Sequence, residues 1–304
     1  MPLQLKSKAL VFFVLVLVSA CVRFALAASA WATAAPPSPN PLGPCAGALV
    51  SYADWPLVKS PEWQLDISGP KGQRLVYLGV DHQTDPKHPQ FAKIQASWDA
   101  LKPAIAFFEG PDRGVAETAE NTILKLGESG LVRFLAKRDG AHIRTLEPPV
   151  ELEMDYLRRR FGNEKLALFI LLRETVRLRE RKGLAPDKVK AEIGILIARA
   201  SKRGLFCGAI ANLEELDAAY RRHWSQPSSW LEAPERWIGP FESDAETGGV
   251  FTHAVNRASS EFRDAHMAGA LVEAVRTYGR VFAVVGANHV PMQAAAIRCS
   301  LSSP

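Results

Sequence analysis

Two segments far apart in the chain share one pattern, an apolar run followed by Gly-x-x-His. The first runs from Arg74 to Gly79 (RLVYLG) and on through Val80 and Asp81 to His82. The second runs from Arg280 to Val285 (RVFAVV) and on through Gly286, Ala287 and Asn288 to His289. Apolar runs this short, bounded by turn residues such as Gly69-Pro70-Lys71-Gly72, predict buried strands. A chain that places two such strands near its opposite ends is constrained to an α/β arrangement, provided helices and further strands lie between them.

They do. Asp85-Pro86 predicts a helix start, with Asp85 as N-cap and Pro86 at the first helical position. Phe91, Ile94, Trp98 and Leu101 follow at helical spacing, and Pro103 closes the helix. Ala104 to Phe108 (AIAFF) reads as a second strand, ending at Glu109-Gly110. Strand, helix and strand so close together make a βαβ unit with parallel strands. Helices are predicted over 114–126 and 128–138, and a short strand from Ile143 to Leu146. From 150 to about 224 the pattern is helical and heavily charged, and Ala167 to Leu172 within it is a core stripe, too short to span a membrane. Residues 225–243 read as a Trp/Pro loop that either rims a cleft, through Trp230 and Trp237, or packs on the core. A long helix follows from about Ala254 to Tyr278, stopped by Gly279.

The polar residues fall at the strand ends. His82, Glu109 and His289 each follow the carboxyl end of a predicted strand, and in a parallel sheet those ends share one edge, where open α/β folds bind ligands. The glycine of each motif is expected to let the chain turn sharply off its strand. Two imidazoles and a carboxylate meeting there suit a divalent metal ion with positions left open for water or substrate. Taken singly, each residue has an ordinary reading: a capping or core histidine, a glutamate at a helix N-terminus. Glu147, before Pro148-Pro149, is a supporting residue. Asp81 either orients an imidazole or is solvated, and His88 is a surface residue. Arg263 and His266 lie on the long helix; Arg263 is either a surface charge or a group able to reach substrate or an oxyanion.

Composition supports a globular domain. The 304 residues are 47% hydrophobic and 23% charged, enough to bury a full core. Lys6 and Lys8 precede an apolar run reaching about Val22, which reads as a secretory signal over 1–27. Ala25-Leu26-Ala27 fits an ordinary cleavage site, the preferred reading. Val18-Ser19-Ala20-Cys21 is the competing lipoprotein-like site, which would attach the protein to a membrane through a lipid on Cys21. Residues 1–27 contain three basic residues and no acid, so their removal lowers the net charge from +5 to +2. No basic stripe survives, which excludes nucleic acid as a partner. Residues 28–48 read as a Pro/Ala-rich tether, with the domain starting near Leu49. Cys45 and Cys299 flank that domain, and export permits a bridge between them; three free buried thiols are the alternative.

The ordered set YLGVDH, IAFFEG, TLEPP, FRDAHMAGALVEAV and FAVVGANHV resembles the TraB/PrgY/GumN–Tiki family, within the wider erythromycin-esterase/ChaN-like superfamily, over most of residues 74–298. The matching anchors are Gly79–His82, Glu109, Arg263 and Gly286–His289. The resemblance implies a mixed or mostly parallel sheet flanked by helices, here enlarged by the helical section. It implies a periplasmic or secreted metal-dependent hydrolase, with a peptidase activity known among Tiki members. His82, His289 and Glu109 would then hold a divalent metal ion, or Glu109 would be the general base, and Arg263 would stabilise developing negative charge on a peptide or small-molecule substrate. ChaN kinship implies the alternative of a haem- or small-ligand-binding protein, and a third reading is a non-catalytic interaction domain. Three features depart from the family pattern: Arg263-Asp264 in place of Arg-Asn, the enlarged charged helical section and the Trp/Pro loop. No H-E-x-x-H is present, which excludes the common zinc-peptidase helix.

Overall fold

The structure is a computed structural model, and it describes residues 41–69 and 71–302. The expected signal over 1–27, Cys21 and most of the expected tether lie outside these residues. Among the described residues, 41–160 together with 236–302 make one compact unit, and Phe161–Glu235 makes another. No helix among the described residues is long and apolar enough to cross a membrane.

The first unit is built on a five-stranded sheet: β1 (Gln64–Ser68), β2 (Arg74–Val80), β3 (Ile105–Phe108), β4 (His142–Thr145) and β5 (Arg280–Gly286). The strand order is β1-β2-β5-β3-β4, with β1 antiparallel to β2 and every other pairing parallel. The central strands are apolar almost throughout because both faces of the sheet are covered. Side chains alternate between those faces. Tyr77, Phe107, Ala283 and Val285 pack against α8 (Thr252–Tyr278), which follows the single-turn α7 (Asp244–Thr247), and against α9 (His289–Ser302), through residues such as Leu271, Val275, Val290 and Ile297. Val76, Leu78, Phe108 and Phe282 pack against α1 (Pro89–Leu101) and α2 (Ala119–Asp139), through Ile94, Trp98, Leu131 and Leu135. The last strand, β5, enters the middle of the sheet. The expected βαβ strands β2 and β3 are parallel, but β5 separates them.

Several expectations are corrected. The helix does not start at Asp85-Pro86: α1 begins at Pro89, and His88 caps it by accepting the Gln90 N–H at Nδ1. Asp85 Oδ1 accepts the Lys87 N–H and the Asp85 carbonyl accepts the His88 N–H at 3.0 Å, so Asp85-Pro86 closes a single turn ahead of the helix. The packed domain begins before Leu49, since Leu42 is in the core and Cys45 is buried within a 3-10 helix, Gly43–Ala48. The Cys45–Cys299 bridge, one of the two readings of the cysteines, is present and ties the segment to α9, while Cys207 is exposed and lies outside it. Helices expected over 114–126 and 128–138 correspond to α2, whose backbone breaks from helical geometry at Gly127. Strand β1 was not expected; it joins β2 by a hairpin, with Asp66 and Arg74 paired across the strands at 2.6 Å.

α3 (Val150–Phe161) leads out of the sheet-bearing unit. The second unit is helical: α4 (Asn163–Val176), continued by a π-helical turn, then α5 (Pro186–Lys202) and α6 (Leu213–His223). Most of the Ala167 to Leu172 stripe is buried, as a core stripe requires. Trp230 and Trp237 are both buried, at 4% exposure each. Of the two readings of the Trp/Pro loop, both side chains therefore fit packing on the core.

Candidate functional site

The sheet order sets the site. At the carboxyl edge, β2 leads to His82, its neighbour β5 leads to His289, and the next strand, β3, leads to Glu109. Residues from both ends of the chain meet because the last strand lies between the first two parallel ones.

The two motif glycines permit close approach, not the expected sharp turn. Both belong to strands, and neither has a positive φ. A Cβ on Gly79 would lie 2.8 Å from the Trp63 carbonyl oxygen and 2.9 Å from Ala287 Cα. A Cβ on Gly286 would lie 3.2 Å from Glu109 Oε2 and 3.3 Å from His82 Nε2. The bare Cα of Gly286 therefore leaves a space that the Glu109 carboxylate and the His82 ring both face.

Each imidazole is braced at Nδ1 by a carboxylate from a helix. His82 Nδ1 is 2.6 Å from Glu128 Oε1 of α2, and His289 Nδ1 is 2.6 Å from Asp264 Oδ1 of α8. A carboxylate only accepts, so both Nδ1 atoms carry the proton. His289 Nε2 in turn lies 3.5 Å from Glu109 Oε1. Neither bracing residue was anticipated as such; on a helix, Glu128 and Asp264 read as ordinary charges.

Glu109 is heavily engaged. Its Oε1 accepts from Arg263 Nη2 at 2.8 Å, and its Oε2 accepts the Gly286 N–H at 2.6 Å. Arg263 is held in a fork by Glu147, with Nε donating at 2.8 Å and Nη2 at 2.6 Å. Glu147 thus supports the site through Arg263 and through the Gly110 N–H at 3.2 Å. On the far side of Asp264, Gln293 Nε2 donates to the same Oδ1 at 2.7 Å, and the Tyr77 hydroxyl donates to Gln293 Oε1 at 3.0 Å. His266 and Asp81 are exposed.

These contacts set the charges. Burial alone would raise the Glu109 carboxyl, but His289, Arg263 and the Gly286 N–H outweigh it and hold the group well below the usual carboxylate range. Burial alone would lower the His289 pKa; Asp264 and Glu109 reverse this and bring it to about 9. Burial and the negative charge of Asp264 push the Tyr52 hydroxyl well above its ordinary value. The result is a fixed array of alternating charge: Asp264, His289, Glu109, Arg263, Glu147.

The residues match a metal site in kind, with two imidazoles and a carboxylate around one opening. They are not drawn together as ligands: among the described residues, no group of three or more His, Cys, Asp or Glu stands ready to hold an ion. Compared with known proteins, the chain matches no family model, no curated protein and no solved structure.

Proposed function

We propose that this protein is an exported, metal-assisted hydrolase of a peptide or small-molecule carbonyl compound, of the TraB/PrgY/GumN–Tiki type its motifs resemble. One observation carries this reading: both motif histidines are braced at Nδ1 by a carboxylate at 2.6 Å. Metal-binding histidines are characteristically held this way, because the brace fixes the tautomer and turns Nε2 toward the ion. His82 and His289 would hold the ion, with Glu109 as the third donor. When bound, a divalent ion polarises a carbonyl and lowers the pKa of water.

The chain's own residues divide the remaining work. Glu109, held far below the usual carboxylate range, is a poor proton acceptor near neutral pH and a good fixed negative charge. This favours its role as donor over the general-base role. Arg263, oriented by Glu147, holds positive charge at the edge where an oxyanion would develop.

A second reading has its own support. Arg263 already donates to Glu109, and a guanidinium beside that carboxylate opposes a second cation there. In a metal-free hydrolase, His82 would accept the proton from water, braced by Glu128, and the cationic Arg263 and His289 would face the developing charge. Metal analysis of the purified protein, with His82→Ala and His289→Ala beside the wild type, separates the two. The metal-assisted reading expects bound metal that both substitutions remove. Unchanged metal content in both variants rejects it, and hydrolysis that persists in chelator selects the second reading.

A further inference from the structure

The His82 side chain is 62% exposed, so packing does not fix its ring. Its Nδ1 contact comes from one short stretch of α2, where the helix breaks. Gly127 has φ 60° and ψ −147° inside α2, a backbone state costly for any residue with a Cβ. A Cβ there would lie 2.7 Å from the carbonyl oxygen of Gln83, so the break lets the helix press on the loop that carries His82. The next residue, Glu128, is buried and places Oε1 2.6 Å from His82 Nδ1. The residue after that, Ser129, donates its hydroxyl to the Glu109 carbonyl oxygen at 2.8 Å.

We infer that the Gly127–Ser129 break in α2 is a clamp, in which Glu128 is a positioning residue that holds His82 as its Nδ1–H tautomer with Nε2 turned toward Gly286 and Glu109. Gly127 supplies the close approach, Glu128 orients the ring, and Ser129 ties the same segment to the end of β3. Three consecutive residues thereby set the spacing between two strand ends of the site. A helix that broke for local reasons alone would have no cause to bury a carboxylate against an exposed imidazole.

The relevance of this clamp to catalysis rests on the proposed hydrolase, but its test does not. Long-range proton–nitrogen NMR of the full chain, above the ordinary imidazole pKa of about 6.5, reads the His82 tautomer directly. The wild type is expected to show Nδ1–H. Glu128→Ala is expected to lose that preference, and Glu128→Gln, whose carbonyl still accepts, to retain it. Gly127→Ala is expected to lose it with Glu128 still present. A wild-type Nε2–H tautomer, or an Ala variant at 128 with an unchanged spectrum, overturns the inference; an unchanged Gly127→Ala spectrum overturns the role of the break. Titration with Co2+ alone is the second readout. Loss of the bracing carboxylate is expected to weaken binding about 10–100-fold. Absence of Co2+ binding in the wild type, with the tautomer results as expected, rejects the metal-assisted reading and leaves the clamp standing.

Discussion

The two Gly-x-x-His motifs are alike in sequence and in bracing, yet they stand in opposite surroundings. His289 starts α9 with its side chain 10% exposed, against an Asp264 side chain that is 3% exposed. His82 follows β2 with its side chain 62% exposed, against a Glu128 side chain that is 8% exposed. The same 2.6 Å contact therefore does different work. At His289 it belongs to a buried chain of charges running from Asp264 to Glu147, where every group depends on its neighbours. At His82 it orients a ring that water also reaches. The lesson is that a motif fixes which atoms can meet, while burial fixes how much stability depends on their meeting.

Breaking each brace should expose the difference most strongly. Asp264→Ala leaves His289 and Gln293 buried without their acceptor, and removing one partner of a buried pair costs about 3–5 kcal/mol. Glu128→Ala leaves a histidine that water can solvate, with a cost of about 0–1 kcal/mol. Urea unfolding midpoints of the two variants measure this directly. Equal losses would show that the two braces are energetically equivalent, contrary to the burial difference.

The disulfide bears on the buried side alone. Cys299 lies in α9, the helix that His289 begins, and its partner Cys45 lies in the packed segment near the start of the described chain. Reduction should cost about 2–4 kcal/mol. The loss should appear as a lowered Tm and as faster amide exchange in α9, with α2 little changed. Faster exchange in α2 to the same degree would argue against this division of labour.

Much of the site was legible before the fold was known. The strand-end positions of His82, Glu109 and His289 follow from three apolar runs, because parallel strands align their carboxyl ends. The charged Arg263 was legible as a residue able to reach that edge. The braces were not, since a carboxylate on a helix gives no sign of whether it faces water or an imidazole. Glu128 had one hint, the glycine before it, because a helix-interior glycine costs about 1 kcal/mol relative to alanine. Asp264 appeared only as a difference from the family its motifs resemble, and it has a contact with His289. The position of β5 in the middle of the sheet was also hidden, since apolar periodicity specifies a strand and not its neighbours. Strand β1 escaped notice because it is short and only half apolar, as suits an edge.

The charge states give a smaller test. The folded pKa of His289 is about 9, above the unfolded value of about 6.5. Its contribution is therefore complete below about 6.5, declines between there and about 9, and is absent above, a loss on the order of 3 kcal/mol at most. Glu109 acts in the opposite sense: its folded pKa is depressed, so its contribution is present above about 4.3 and is lost on acidification. Wild-type stability should fall as pH rises through this alkaline window, and His289→Gln should flatten the fall. A slope that survives the substitution would place the titrating group elsewhere.

The smallest expected effect is the most informative about His82. Truncation of a mostly exposed side chain, away from caps and core, changes stability by about 0.5 kcal/mol or less. His82→Ala takes a partner from Glu128 but opens that carboxylate to water, so it should lower stability by no more than about 1 kcal/mol while removing the imidazole that faces Gly286. His289→Ala removes an equivalent ring but strands Asp264 in the interior, so its unfolding midpoint should drop clearly. If both variants lose hydrolysis or metal while only His289→Ala loses more than about 1 kcal/mol of stability, the exposed histidine is retained for chemistry alone. A destabilisation by His82→Ala as large as that of His289→Ala would instead make the first motif a structural element, and the comparison between the two would collapse.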